Sequence, residues 1–353
     1  MFSKVGRTTT TRGSAASSRP SRPGAESHTL RPFVTGQRSG GLNRRGFLFL
    51  GLSTSACLLM GHTPYRQWQV YRKSRLIFVV SEMDEVSLRL GSTIAPALAA
   101  RVPESKAMMA TAATAVDVVK LLTSAQLDVA LLTSDDAYEA LQGAGRFKGP
   151  AAPLRTLAAV GSSVLHLVTL SGQGITRVSD LKGKTLASGI PGSPTETLAL
   201  RVLEASGIDA ENDLRREPLA GAGARAALKE RRIDAIARAD LVTDDALREL
   251  AGTPGVAIAL LEHDETMPRI EAKYGPVYRR ATIPKNAYPG IATDVGGIAV
   301  THLLVCRDDF PEEKAYRIVK ALAEPHDEAM LIRPPLPFHP GALEFYRGGS
   351  TPR

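Results

Sequence analysis

From Arg75 onward the chain alternates short apolar runs with amphipathic stretches, and this alternation limits the fold more than any other feature. Leu76-Ile77-Phe78-Val79-Val80 is an uninterrupted apolar run of strand length, the pattern of a parallel strand buried on both faces. Val86, Leu90, Ile94, Leu98 and Val102 follow at spacings of four and predict a helix, which Pro96 is expected to kink or divide. Met108 to Ala112 reads as a second strand, Val116 to Leu122 as a helix and Leu127 to Leu132 as a third strand. A further helix starts at Asp136, with Ser134 or Asp135 as N-cap. Leu154 to Ala159 and Val164 to Leu170 predict a pair of strands around Gly161-Ser162-Ser163.

The pattern then restarts. Val178 to Ala187 leads into a strand, Gly189 to Glu196 is a turn opening onto a helix over Thr197 to Ala205, and Arg225 to Arg231 precedes a strand at Ile233 to Ala237. Gly297 to Cys306 reads as a strand returning toward the first unit, followed by a helix from Pro311 to Leu322. No repeat is visible residue by residue. Repeated βα units argue for an α/β protein of two lobes, each a parallel-rich sheet flanked by helices and joined by crossover strands. The 353 residues accommodate a leader (1–45), an apolar and juxtamembrane stretch (46–73), a first lobe (74–165, completed by 298–347), a second lobe (166–297) and a short tail (348–353).

The formal net charge of +8 resembles that of a nucleic-acid binder until it is located. Residues 1–45 carry nine basic side chains and one acid, Glu26, while the rest holds 35 of each sign. A neutral globular part offers no broad basic face to a phosphate backbone, so nucleic acid is not an expected partner. The two cysteines, Cys57 and Cys306, are far apart and form no C-x-x-C motif. No His/Cys cluster has metal-ligand spacing, and neither metal nor cofactor is expected. Cys306, inside a strand-like run, is expected to be buried and inert.

Leader composition, rich in Ser, Thr, Arg, Gly and Pro, is that of a segment unable to order itself. Asn43-Arg44-Arg45-Gly46-Phe47-Leu48 then opens an apolar run to about Gly61, the arrangement of a secretory signal, and the arginine pair resembles a twin-arginine export signal. No Ala-x-Ala site follows, and Thr54-Ser55-Ala56-Cys57 is a poor lipobox. Tyr65, Trp68 and Tyr71 alternate with Arg66, Arg72 and Lys73, which suits a membrane interface. Two outcomes stay open: a cleaved leader, or an uncleaved anchor over 46–61. Either places the globular part outside the cytoplasm, in the periplasm.

Several segments together resemble one family. They are Leu127 to Tyr138, Val178 to Lys184 with Gly189 to Glu196, Tyr278 to Pro284 with Tyr288-Pro289-Gly290, and Leu336 to Ala342. In order and spacing these are similar to the TAXI-type solute-binding subunits of tripartite ATP-independent periplasmic (TRAP) transporters. The resemblance covers about residues 75–347. It implies a type II periplasmic-binding-protein fold that closes on a small carboxylate, of the amino acid or dicarboxylate class. It also implies a membrane permease as partner, driven by an ion gradient. One departure stands out: where such proteins carry a Gly-rich Thr-Gly-Gly segment after the first strand, this chain reads Ser81-Glu82-Met83-Asp84-Glu85. The segment after the second strand, Thr111 to Ala115, likewise lacks the usual glycines.

Candidate ligand-binding residues fall at strand ends and one loop. Pro191, Gly192, Ser193, Thr195 and Glu196 belong to a turn whose amides and helix dipole suit a carboxylate. Ser81, Thr133, Ser134 and Asp135 follow parallel strands, where ligands bind in open α/β sheets. Tyr138 and Tyr288 are candidates for amphipathic walls. Arg238 leads Arg155, Arg279 and Arg280 as the base that pairs with the ligand, because Ile233 to Ala237 aims it at the cleft. An acid at Glu82 opposes an anion unless it meets a ligand ammonium. His166 and His302, each alone in a strand, are read as structural, and His326 and His339 have no partner visible in the sequence.

No Gly-x-Ser-x-Gly elbow, phosphate loop, paired metal histidines or activated cysteine is present, so no catalytic residue is assigned and no enzyme is expected. Two readings remain: a solute-binding subunit of a transporter, or a membrane-tethered sensory or scaffold module of the same fold with altered or lost ligand binding.

Overall fold

The computed structural model describes residues 31–32, 76–323 and 334–349. Expectations for the leader (Arg31–Pro32 apart), the apolar 46–61 stretch, Cys57 and His326 lie outside the described residues.

Among the described residues eleven strands form one sheet: β1 (Arg31–Pro32), β2 (Ile77–Ser81), β3 (Met108–Ala112), β4 (Val129–Thr133), β5 (Leu154–Leu170), β6 (Thr185–Ala187), β7 (Arg215–Glu217), β8 (Ala235–Asp240), β9 (Ile258–Leu260), β10 (Tyr278–Ile283) and β11 (Val295–Arg307). In the first lobe β3, β2 and β4 are parallel, followed by β11, antiparallel to its neighbours on both sides, and then the first half of β5. In the second, β7, β6 and β8 are parallel, followed by the second half of β5 and then β9. Both lobes thus order their strands second, first, third, incoming long strand, fourth. The repeat that is invisible in the residues is present in the topology. β5 and β11 are the two crossovers, and β10 pairs along the first half of β11. This is the two-lobed periplasmic-binding-protein architecture. At the outer edge of the first lobe, Arg31 and Pro32 pair antiparallel with Thr111 and Ala110 of β3.

The helices are α1 (Glu85–Arg101), α2 (Ala115–Thr123), α3 (Ser134–Gln142), α4 (Pro194–Ala205), α5 (Gly221–Lys229), α6 (Asp245–Ala251), α7 (Met267–Tyr274), α8 (Glu312–Leu322) and α9 (Pro340–Gly349). Asp84, Thr114, Ser193 and Asp244 cap their helices through side-chain oxygens, as short polar residues at these positions should. Two expectations need correction. Of the two alternatives for Pro96, division of the helix does not occur, since α1 continues through it to Arg101; removing one N–H leaves a gap that a helix packed against a sheet tolerates. Gly161-Ser162-Ser163 is not a turn between two strands but the midpoint of one 17-residue strand, β5. That strand changes partner there, from β11 to β8, so it needs no reversal.

Side-chain alternation builds a core on each face of each lobe. In the first, Ile77, Val79, Ala130 and Leu132 meet Val118 and Leu122 of α2, while Phe78, Val80, Val129 and Leu131 meet Ile94 and Leu98 of α1 and Ile318 of α8. In the second, Leu165, Leu167 and Leu186 meet Leu198 and Val202 of α4, and Val164, Val168 and Ile236 meet Leu228 and Leu247. Each fully buried Val, Leu, Ile or Phe side chain among them contributes about 1.5–3 kcal/mol. Cys306 is buried in the first lobe and free, with its thiol pushed up by burial. The segment from Leu336 returns to the first lobe, where His339 N donates to Thr156 O and Phe338 and Tyr346 stack edge to face.

Candidate functional site

Both crossover strands pass the seam between the lobes at one level, and there Ser163 of β5 and His302 of β11 come together. Ser163 Oγ lies 2.6 Å from His302 Nε2, and Ser87 Oγ lies 3.0 Å from Nδ1. Asp84 Oδ2 is 3.6 Å from the same nitrogen. All four residues are buried. Burial pushes the Asp84 carboxyl up, but the His302 ring and hydrogen bonds from Ser87 outweigh it and hold the group below the usual carboxylate range. This network is the floor of a cavity of about 90 Å³ between the lobes. Glu82 to Val86 line it from the first lobe; the Gly189 loop, the start of α5 and the end of β8 line it from the second.

Most charges around the cavity are already committed. Arg238 donates to Asp240 and Asp244 of its own lobe, and its Nη1 lies 3.3 Å from Glu85 across the seam. Arg89 crosses in the other direction to Asp240. Two charges differ. Arg225 lines the cavity half-exposed, and among the described residues it has no carboxylate partner. Glu82 accepts one hydrogen bond, from Thr111 Oγ1 at 2.8 Å, and among the described residues it has no cation. Around Arg225, α5 begins at Gly221 after Ala220, whose side chain supplies no cap.

A second seam joins α3 to the other lobe. Asp135 accepts from Tyr278 Oη at 2.6 Å and pairs with Arg201, which also pairs with Glu139. Arg146 pairs with Asp136 and donates to Gly192 O at 2.6 Å. Burial and the neighbouring Asp135 push the Asp136 carboxyl up to about 7 against the pull of Arg146.

The residues singled out by sequence divide accordingly. Ser193, Thr195 and Arg238 line the cavity, and Ser81 lies beneath its acidic loop, accepting from Met83 N. Thr133, Ser134, Asp135 and Tyr138 lie at or behind the α3 seam; Ser134 donates to Val277 O and accepts from Thr301 N. Pro191 and Gly192 are exposed outside the cavity wall. Amides of the Gly189 loop are largely satisfied internally, Gly192 N by Glu196, Ser193 N by Ile190 O and Glu196 N by Ser193 Oγ. Glu196 also pairs with Arg216. Tyr288 is 1% exposed, in the core of the second lobe, bonded to His166 Nε2 and Asp244 N. Arg280 pairs with Asp264, and Arg155 bonds its own neighbour's carbonyl. Sequence reading passed over Glu85, Ser163 and Arg225; for Arg225 the usable signal was an arginine one turn into a helix opened by Gly221-Ala222-Gly223.

Among the described residues no group of His, Cys, Asp and Glu is placed to hold a metal, and no helix is long and apolar enough to cross a membrane. Solved structures similar to this chain include the alkanesulfonate-binding protein SsuA from Xanthomonas axonopodis pv. citri bound to MOPS, at 18% identity and TM-score 0.41, covering 70% of this chain and 73% of that one. Another is PhnD1 from Prochlorococcus marinus in complex with methylphosphonate, at 12% identity and TM-score 0.46, covering 70% and 82%. An ancestral arginine-binding protein bound to arginine is similar at 15% identity and TM-score 0.38, covering 71% and 92%. A family model described as the NMT1-like family matches residues 87–348, most of the chain, and the protein belongs to that family.

Proposed function

We propose that the protein is an extracytoplasmic solute-binding subunit that captures a small organic anion between its lobes and presents it to a membrane permease. The observation that carries this reading is the interlobe cavity, lined from both lobes and holding in Arg225 a guanidinium with no carboxylate partner among the described residues. A guanidinium freed of protein partners is suited to a bidentate carboxylate or another oxyanion. The α5 terminus beside it adds the positive end of a helix dipole. Function by capture rather than turnover fits a site whose serine and histidine are buried in the floor.

The transporter is proposed to be of the tripartite, ion-gradient type that the sequence resembles, with an ATP-driven type as the competing assignment. Crosslinking the full-length protein in its native membrane distinguishes them by whether an ATPase copurifies with the permease. Export, by the twin-arginine route or with an anchor at 46–61, is tested by fractionation. Binding is tested by thermal shift of the full-length protein against carboxylates, sulfonates and phosphonates. A ligand at 100 times its Kd adds about 2.7 kcal/mol, an upshift of a few degrees for a chain of this size. A melting temperature indifferent to every compound in the panel, amino acids included among the carboxylates, overturns the reading.

A further inference from the structure

Among the described residues the cavity holds one uncommitted charge of each sign, on opposite lobes. Arg238, the most prominent cation near it, is taken by Glu85, Asp240 and Asp244. Asp84 is held by Ser87 N and faces His302. What remains is Glu82 on the first lobe, bonded only to a neutral threonine hydroxyl, and Arg225 on the second. An anion seated at Arg225 faces the Glu82–Glu85 loop, where Glu82, Asp84 and Glu85 all line the wall. A ligand with a second carboxylate would bring it against that acidic wall, and like charges at close range in a partly desolvated site repel strongly.

We propose, resting on the solute-binding reading above, that the ligand is a zwitterion, its anionic group on Arg225 and its ammonium on Glu82. Dicarboxylates and plain monoanions are then the disfavoured classes. Charge placement across the seam also explains why the loop after β2 is acidic rather than glycine-rich: side-chain carboxylates, not backbone amides, meet the ligand on that side. Such a ligand bridges the lobes through one ion pair to each, and leaves the internal Glu85–Arg238 and Arg89–Asp240 pairs in place.

The test is calorimetric titration of the full-length protein with the twenty L-amino acids and taurine as zwitterions, lactate and malate as 2-hydroxy acids, succinate as dicarboxylate and ethylamine as the cation alone. At least one zwitterion is expected to bind at least ten times more tightly than lactate, malate, succinate or ethylamine. Glu82→Gln is expected to weaken that zwitterion at least tenfold while improving lactate, narrowing or inverting the preference. Arg225→Gln is expected to weaken all anion-bearing ligands. Both side chains reach solvent, so neither change threatens the fold. Binding of succinate or lactate as tight as that of any zwitterion overturns this proposal and leaves anion capture standing, as does a Glu82→Gln protein with unaltered preference. A protein that binds nothing in the set and no anion in the thermal-shift panel overturns the solute-binding reading itself.

Discussion

The Glu85 carboxylate at the start of α1 lies 3.3 Å from Arg238 Nη1 at the end of β8, so each lobe supplies half of an ion pair across the seam. Arg238 is 14% exposed and Glu85 58%, an asymmetry that decides what each contributes. Glu85→Gln removes the exposed member and leaves Arg238 still held by two carboxylates, a change expected to stay within about 0.5 kcal/mol. Arg238→Ala strands Asp240 and Asp244, both buried, and is expected to cost about 3–5 kcal/mol, softened where Arg89 still reaches Asp240. Urea unfolding of the two variants measures the difference.

Tyr288→Phe separates a structural hydroxyl from a ligand contact. Tyr288 Oη accepts from Asp244 N at 3.0 Å and lies 2.8 Å from His166 Nε2 and 2.9 Å from Val242 O. Without it the buried amide of Asp244 has no partner, at a cost of about 1–3 kcal/mol. Because the ring lies in the core, ligand affinity is expected to change less than twofold while the urea midpoint falls. A large affinity loss with unchanged stability would instead place Tyr288 at the ligand.

The apolar runs were enough to locate most strands, because a parallel strand buried on both faces leaves its mark in every residue, as Ile77 to Ser81 does. β5 defeated the same reasoning: Gly161-Ser162-Ser163 looks like a turn locally, and only the presence of β11 and β8 on either side makes it a strand. At the site, strand direction carried Arg238 to the cavity rim. What sequence could not reveal is that Glu85, Asp240 and Asp244 neutralise it, since commitment of a charge depends on side chains from separate elements. Arg225 was overlooked for the converse reason: it stands out only because, among the described residues, no carboxylate meets it.

His263 is expected to set part of the acid limit of stability. Its Nδ1 bonds Leu261 O at 2.9 Å and its Nε2 accepts from Ile298 N at 3.1 Å, so the neutral ring with a proton on Nδ1 satisfies both contacts. Burial lowers it from 6.5 to about 4. Below the unfolded value the unfolded chain takes up the proton first, so the contribution is present above pH 6.5 and is lost as pH falls through 4. His263→Gln is expected to lower stability at neutral pH and to flatten the decline across that window, read from urea midpoints at half-unit pH steps.

Asp136 pulls in the opposite direction over nearly the same range. Its carboxyl is buried beside Asp135 and raised from 3.8 to about 7, so between those values the native state keeps a proton that the unfolded chain has released. Its contribution is therefore fully present below pH 3.8 and is lost as pH rises through 7. In the wild type these two contributions oppose each other between pH 4 and 7. Asp136→Asn keeps the size of the side chain and removes the proton exchange, which leaves the His263 slope unopposed. The variant should lose stability more steeply than wild type as pH falls from 7 to 4, and His263→Gln less steeply. Parallel profiles for wild type and Asp136→Asn would show that Asp136 is ionised throughout, held by its pair with Arg146.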